Sequence, residues 1–363
     1  MTESRFKSLI KAKNVVYITV KNKDYIRTRQ LERILSENAA SVRVYSSEKK
    51  TPLKRALNIR RRLGKISFEG VDVIVVGFLP QLILDKVIDI AFGDRAVDIA
   101  AGKRDSFKLQ VVADMFLSLY DTVVWDRKLV RPGGLLARFC KELDRRTVEE
   151  ADLVLTDTRA DADYFAKEFE GEREKFEVLY LEAEIDCYDK KEAESTEVKR
   201  VLYFGTGLPL QGTDIVADAF RILISENNSV NVVHISDYLS ENKKDICCEI
   251  KCIFIGSTKY MSKEQQSFIT SGQVEYHEWL TEPELIEQIE KADICLAGHF
   301  KAEIDKADRT IPGKAFIYEA LGKKMILADT TANREIFKPD DRHIFVRRGS
   351  GEALSECIRK SLV

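Results

Sequence analysis

The sequence predicts an α/β protein built from two doubly wound, Rossmann-like domains, and three observations carry that prediction. Short apolar runs of strand length alternate with longer amphipathic stretches, the pattern of βα units in parallel sheets. A polar, acidic stretch, Glu184–Lys199, interrupts the alternation near the middle of the chain, and the alternation then restarts. The 363 residues suffice for two domains of about 150–200 residues that each bury a core. The expected division is residues 1–186, a linker over 187–199 and a second domain over 200–363. Ligands are expected in a cleft between the carboxyl ends of the two sheets, where doubly wound folds bind them.

In the first half, β-branched runs predict strands at Asn14–Val20, Val42–Tyr45, Val71–Gly77, Leu109–Asp114, Leu153–Thr156 and Phe176–Leu181. Between them, helical spacing of apolar residues predicts helices at Arg27–Asn38, Pro52–Lys65, Pro80–Phe92, Gly134–Glu150 and Asp161–Phe169. In the second half, Arg200–Phe204 leads into a helix at Thr213–Ser225. Strands follow at Ile250–Ile255, Val274–His277, Asp293–Ala297, Lys324–Ala328 and His343–Val346, and SGEALSECIRKSL reads as the last helix. The segment Glu226–Cys248 holds one further apolar run, NVVHI, that has no clear place in this scheme.

Composition excludes several classes of function. Hydrophobic residues at 44% and charged residues at 33% are those of a globular protein. A net charge of −2 gives no global attraction to nucleic acid, which is not an expected partner. Seven cysteines without framework spacing are expected to be reduced thiols in a cytoplasmic protein. The early apolar run NVVYITV is strand-length and reads neither as a signal peptide nor as a membrane span.

The most informative segment is DRTIPGKAFIYEALGKKMILAD, residues 308–329. Thr310 is placed to cap a helix whose first turn holds Pro312 and Gly313. Free N–H groups and the positive end of the helix dipole make such a terminus an anion site. Arg309 and Lys314 bracket it with charge suited to a diphosphate. Glu319 follows Lys314 at about 7–8 Å along the helix axis, a separation that suits a carboxylate on ribose hydroxyls. Gly322 ends the helix. A second loop, VLYFGTGLPLQGTDIVADAF, is strand, turn and helix; Gly205 and Gly212 are expected to let backbone approach a ligand.

These segments, taken in order, resemble the donor domain of family-4-type retaining glycosyltransferases of the GT-B fold. The resemblance runs through FGTGLPLQG, EWLTEPELIEQIEKADICLAGHF and RTIPGKAFIYEALGKKMILADTTANRE. The first half resembles a bacterial surface-polysaccharide branch of that family through VADMFLSLYDTVVWDRK and ELDRRTVEEADLVLTDTRADADYF. The resemblance implies transfer of a sugar, with retention, from a UDP- or GDP-sugar donor to a glycan or lipid-linked acceptor, without a cofactor or metal. It places Gly205, Thr206, Gly207, Gln211 and Gly212 in the first donor loop and Trp279 and Leu280 against the nucleobase. His299 and Phe300 would face the sugar diphosphate, Arg309, Pro312, Gly313 and Lys314 would hold it, and Glu319 would hold the ribose. The chain departs from the family at Ile311, where a glutamate is frequent, and at Thr206 and Gln211, where Arg and Lys are frequent. The family's closing crossover helix is expected to be absent or reduced.

In the first half, Asp114, Asp121, Asp126 and Arg127 cluster at and beyond the carboxyl end of a predicted strand and are the candidate catalytic residues. The fold's front-face displacement requires no protein nucleophile, so their work would be positioning and charge stabilisation. Three weaker signals have plainer explanations. The Asp161–Asp163 pair reads as helix-start acids rather than metal ligands, the cysteines lack paired C-x-x-C spacing, and the histidines show no metal or triad signature. The run EKKTPLKRALNIRRRLGKI, residues 48–66, has eight Lys or Arg and is either a solvated helix face or a surface resting on anionic lipid at the inner membrane face. Two rival functions remain at this level: a nucleotide-sugar epimerase, and a catalytically silent subunit that supports a partner enzyme.

Overall fold

A computed structural model of the chain describes residues 4–100, 109–183, 198–230 and 249–362. The chain divides into two compact units, Met1–Glu182 and Ala183–Val363. Unit one runs α1 (Arg5–Ile10), β1 (Asn14–Thr19), α2 (Ile26–Asn38), β2 (Ser41–Tyr45), α3 (Pro52–Arg62), β3 (Val73–Gly77) and α4 (Leu84–Ala100). It continues with β4 (Gln110–Asp114), α5 (Leu135–Glu150), β5 (Leu153–Thr156), α6 (Arg159–Glu168) and β6 (Phe176–Val178). All pairings are parallel, in the order β2-β1-β3-β4-β5-β6.

The two-residue period of the strands sorts their side chains into two cores. Val16, Ile18, Ile74 and Val76 pack on one face with Ala56 and Ile59 of α3. Val15, Tyr17, Val73 and Val75 pack on the other with Phe6 of α1 and Leu31 and Leu35 of α2. Central strands buried on both faces need continuous β-branched runs, whereas the edge strand β2 alternates and stays partly exposed.

Unit two runs β7 (Val198–Gly205), α7 (Thr213–Val230), β8 (Glu249–Gly256), α8 (Lys263–Ile269), β9 (Glu275–His277), α9 (Glu282–Lys291) and β10 (Ile294–Gly298). It ends with α10 (Lys306–Arg309), α11 (Gly313–Ala320), β11 (Met325–Ala328), α12 (Asn333–Ile336), β12 (His343–Val346) and α13 (Gly351–Ser361). Its parallel sheet has the order β12-β11-β10-β7-β8-β9, with the core built on Val201, Tyr203, Phe220, Phe254, Leu296 and Ile326.

Residues 184–197, which include most of the linker expected over 187–199, lie outside the described residues, as do 231–248 with the run NVVHI. Val198 and Lys199, expected in the linker, instead begin β7 and pair with Glu249 and Ile250. Among the described residues no helix is long and apolar enough to cross a membrane.

Candidate functional site

The strand order of unit two fixes where its ligand crevice lies. From β7 the chain first builds outward through β8 to β9, then crosses over and builds through β10 to β12 on the other side. The loops leaving β7 and β10 therefore diverge, and they open a gap at the carboxyl edge. A cavity of about 470 Å³ occupies it. Phe204, Gly205 and Thr206 at the end of β7, Ile255–Ser257 at the end of β8, Glu278–Leu280 after β9 and His299 after β10 line it. Gln211 and the start of α11, Pro312, Gly313 and Lys314, complete the wall. A concavity of about 590 Å³ lined by Lys324, Asp340 and Asp341 lies at the opposite, amino ends of β11 and β12 and lacks this topological logic.

Lys314 is the electrostatic centre of the cavity. It stands in the first turn of α11, is only 5% exposed, and its Nζ has no hydrogen-bond partner. The ammonium lies 4.0 Å from the Tyr203 ring centroid, a cation–π contact that replaces little of its lost hydration. Burial pulls its pKa down to about 7. Gly205 makes room for this arrangement: a Cβ there would sit 2.9 Å from Lys314 Nζ and 2.7 Å from Gln211 Oε1.

Gln211 organises the loop through one oxygen. Its Oε1 accepts from Gly207 N at 3.0 Å, Leu208 N at 3.2 Å and the Tyr203 hydroxyl at 3.3 Å. Side-chain carbonyl and backbone donors thus hold the turn after β7 in place without a charge. His299 is buried, and desolvation together with nearby Lys314 drives its pKa down to about 3, so the ring is neutral. Thr310 donates its hydroxyl to Lys306 O at 2.9 Å, so the 3.2 Å contact to His299 makes Nδ1 the donor. Nε2 is then the ring's acceptor, an assignment that rests on this network.

Several expected roles change in this geometry. Thr310 does not cap α11: Pro312 stands at the N-cap without a side-chain bond, and Thr310 closes the preceding turn of α10. Gly212 has φ +68°, and a Cβ there would meet Phe300 Cβ at 2.9 Å, so the close approach of the loop after β10 requires a glycine here. Phe300 is 1% exposed and belongs to the core. Gly207 and Arg309 lie outside the cavity wall, Arg309 at the end of α10.

Glu319 also lies outside the wall. Helix α11 carries its later residues away from the carboxyl edge, and the Glu319 carboxylate faces His343 Nε2 at 2.6 Å and accepts from Arg342 at 3.3 Å. Trp279, 75% exposed, and Leu280 line the cavity. Ser257 and Glu278 line it too and escaped the sequence reading, although both follow strand ends, where the fold puts ligand contacts.

The candidate catalytic group of unit one separates into buried and exposed members. Asp114 is fully buried and accepts from Arg27 Nη2 at 2.7 Å and Nε at 3.1 Å, tying β4 to α2. Asp121 and Asp126 are buried in a single π-helical turn, Asp121–Asp126, while Arg127 beyond it is exposed. Asp144 of α5, equally buried, anchors the start of that turn by accepting from Ser118 Oγ, Leu119 N, Tyr120 N and Gln81 Nε2.

In the basic run, Leu63 and Ile66 are core residues and Arg60 pairs with Asp85, so only part of the expected surface exists. Leu53 and Leu57 do stand 63% and 47% exposed. Among the described residues no cluster of His, Cys, Asp and Glu has the makings of a metal site.

No family model and no curated protein matches the sequence of this chain. Solved structures match its fold. Sucrose-phosphate synthase from Thermosynechococcus elongatus is similar at 10% identity and a TM-score of 0.58, covering 96% of this chain and 90% of that one. Anabaena HepE, solved in complex with UDP and glucose, is similar at 13% identity over 96% and 90%, with a TM-score of 0.51. The lipopolysaccharide outer core galactosyltransferase WaaB, in its apo form, gives 13% identity over 96% and 90% and a TM-score of 0.52. The two parallel six-stranded sheets with flanking helices are thus those of the GT-B fold.

Proposed function

We propose that the protein is a retaining, metal-independent glycosyltransferase whose cavity in unit two binds a UDP- or GDP-sugar. The observation that carries this reading is the Lys314 ammonium, buried without a partner at the foot of a helix and at the switch point of the sheet. A buried, unpaired cation is costly unless a ligand supplies the anion, and a diphosphate supplies it in the shape a helix N-terminus also favours. Trp279 and Leu280 offer the nucleobase an apolar surface, and His299 Nε2 accepts from a sugar hydroxyl. That HepE was solved with UDP and glucose supports the same assignment of ligand class.

In the proposed reaction the acceptor hydroxyl oxygen bonds to the anomeric carbon on the face from which the bond to phosphate breaks. The leaving phosphate oxygen takes the hydroxyl proton, so no protein nucleophile is needed. Lys314 and the N–H groups of α11 stabilise the charge that develops on the diphosphate. Arg127, exposed beyond β4, faces the acceptor. The acceptor is a glycan or a lipid-linked glycan of a bacterial surface polysaccharide. Leu53 and Leu57, with the acid-free segment 127–141 carrying exposed Leu129, Leu135 and Phe139, rest on an anionic membrane.

One observation favours a second reading, a silent subunit: Ile311 is buried, 6% exposed, where the family often has a glutamate. Calorimetry with UDP, GDP and uridine, followed by product analysis with the matching sugar nucleotides, tests both. The enzyme binds a nucleoside diphosphate far better than the nucleoside and transfers sugar. Binding without turnover on any acceptor favours the subunit, and a changed sugar still on its nucleotide favours an epimerase.

A further inference from the structure

Unit one has its own switch point, between β1 and β3, and the residues leaving the strands there form an unassigned cationic group. Lys21 follows β1, Arg55 stands in the second turn of α3 after β2, and Arg127 follows the turn after β4. The topology brings all three to the carboxyl edge of one sheet. Burial lowers the pKa of Lys21, and the positive charges of Arg55 and then Arg127 lower it further. Among the described residues none of the three has an acidic partner, and Arg55 Nε is buried without a hydrogen bond.

The Lys21 ammonium is held by an aromatic wall. It lies 4.4 Å from the Tyr25 ring centroid and 4.9 Å from that of Phe78. Phe78 packs edge-on against Tyr25 at 5.1 Å and stacks with Phe116 at 6.0 Å. Phe78 also has φ +69°, a conformation that costs a bulky residue energy and persists where surrounding structure imposes it. Like charges gathered at a fixed point without counter-charges repel one another, and an anion bound among them relieves that repulsion. Arg27, nearby on Phe116, is already neutralised by Asp114 and takes no part.

We propose that the carboxyl edge of the first sheet binds a phosphate ester borne by the acceptor, clamped by Lys21, Arg55 and Arg127. The phosphate site itself stands without the glycosyltransferase reading, whereas calling its ligand the acceptor rests on that reading. The chemistry is that of a phosphate monoester, whether on a free sugar phosphate or on a lipid.

The chain has two tryptophans, Trp125 beside this site and Trp279 in the other cavity, so Trp279→Phe leaves a reporter next to Arg127. Inorganic phosphate should change the Trp125 emission saturably, and sodium chloride at matched ionic strength should not. Lys21→Met and Arg127→Ala should each weaken phosphate binding about tenfold or more, since each removes a bond to a charged group. Lys314→Met should leave it unchanged. In the Lys21→Met chain UDP affinity should stay at its starting value, which also shows that the chain is folded.

A soluble hexose 6-phosphate that competes with inorganic phosphate supports the inference with a free acceptor. Competition only by vesicles of phosphatidic acid, and not of phosphatidylserine, supports it with a membrane-borne one. No saturable response to phosphate, or a loss shared equally by Lys314→Met, overturns it. A fall of UDP affinity in Lys21→Met also overturns it, by assigning these cations to the donor. Failure of wild-type protein to bind UDP, with the Trp125 response intact, sinks the donor reading and leaves the phosphate site standing.

Discussion

Lys314 has two linked consequences for pH. Its pKa in the folded chain, about 7, lies below its ordinary value of 10.5, so the unfolded chain holds more protons between those limits. Stability of the ligand-free protein therefore rises with pH across that window. Donor binding needs the charged form, so affinity for a UDP-sugar should fall as pH rises above about 7. Calorimetry at a series of pH values in buffers of different ionisation enthalpy should show proton uptake on binding, and that uptake should vanish in Lys314→Met.

Glu319 allows a second test at this scale. Its carboxylate is engaged with His343 and Arg342, so Glu319→Gln should lower the melting temperature while UDP affinity changes less than about twofold. A tenfold loss of UDP affinity would return Glu319 to the ribose. Proximity along the helix was legible in the sequence here, but the partner was not, because His343 is 24 residues away on another strand.

At the scale of elements, the strands were legible to within a residue or two wherever both faces are buried, as at β3, β5 and β11. Such strands need unbroken apolar runs. Helix α1 was not legible. It has six residues, too few to show a period, and it is held from outside: Phe6 N donates to Glu177 at 2.7 Å, across 171 residues. The burial of Asp114 likewise depends on Arg27, 87 residues earlier.

The Asp121–Asp126 turn depends on Asp144 in the same way. Asp144→Ala removes four hydrogen bonds to a buried carboxylate and should cost about 2–4 kcal/mol in urea unfolding. A cost within about 0.5 kcal/mol would mean that the turn holds itself.

For the whole molecule, the GT-B fold was legible because it rests on order: two alternating halves, a polar interruption, and loops at corresponding strand ends. Roles within the site were less so, since Phe300 stands in the right loop but is a core residue, with Gly212 packed close against it. Transfer should survive EDTA if Lys314 and α11 supply the charge; loss restored by manganese would place a metal in the reaction.

The central claim is that Lys314 is retained for an anion and not for the fold. Lys314→Met, a near-isosteric change, should raise the melting temperature of the ligand-free chain. A pKa displaced from 10.5 to about 7 implies a gain of about 4 kcal/mol at neutral pH. The same variant should lose UDP affinity by about tenfold or more while binding uridine as before. A variant that melts no higher and binds UDP unchanged would contradict the account.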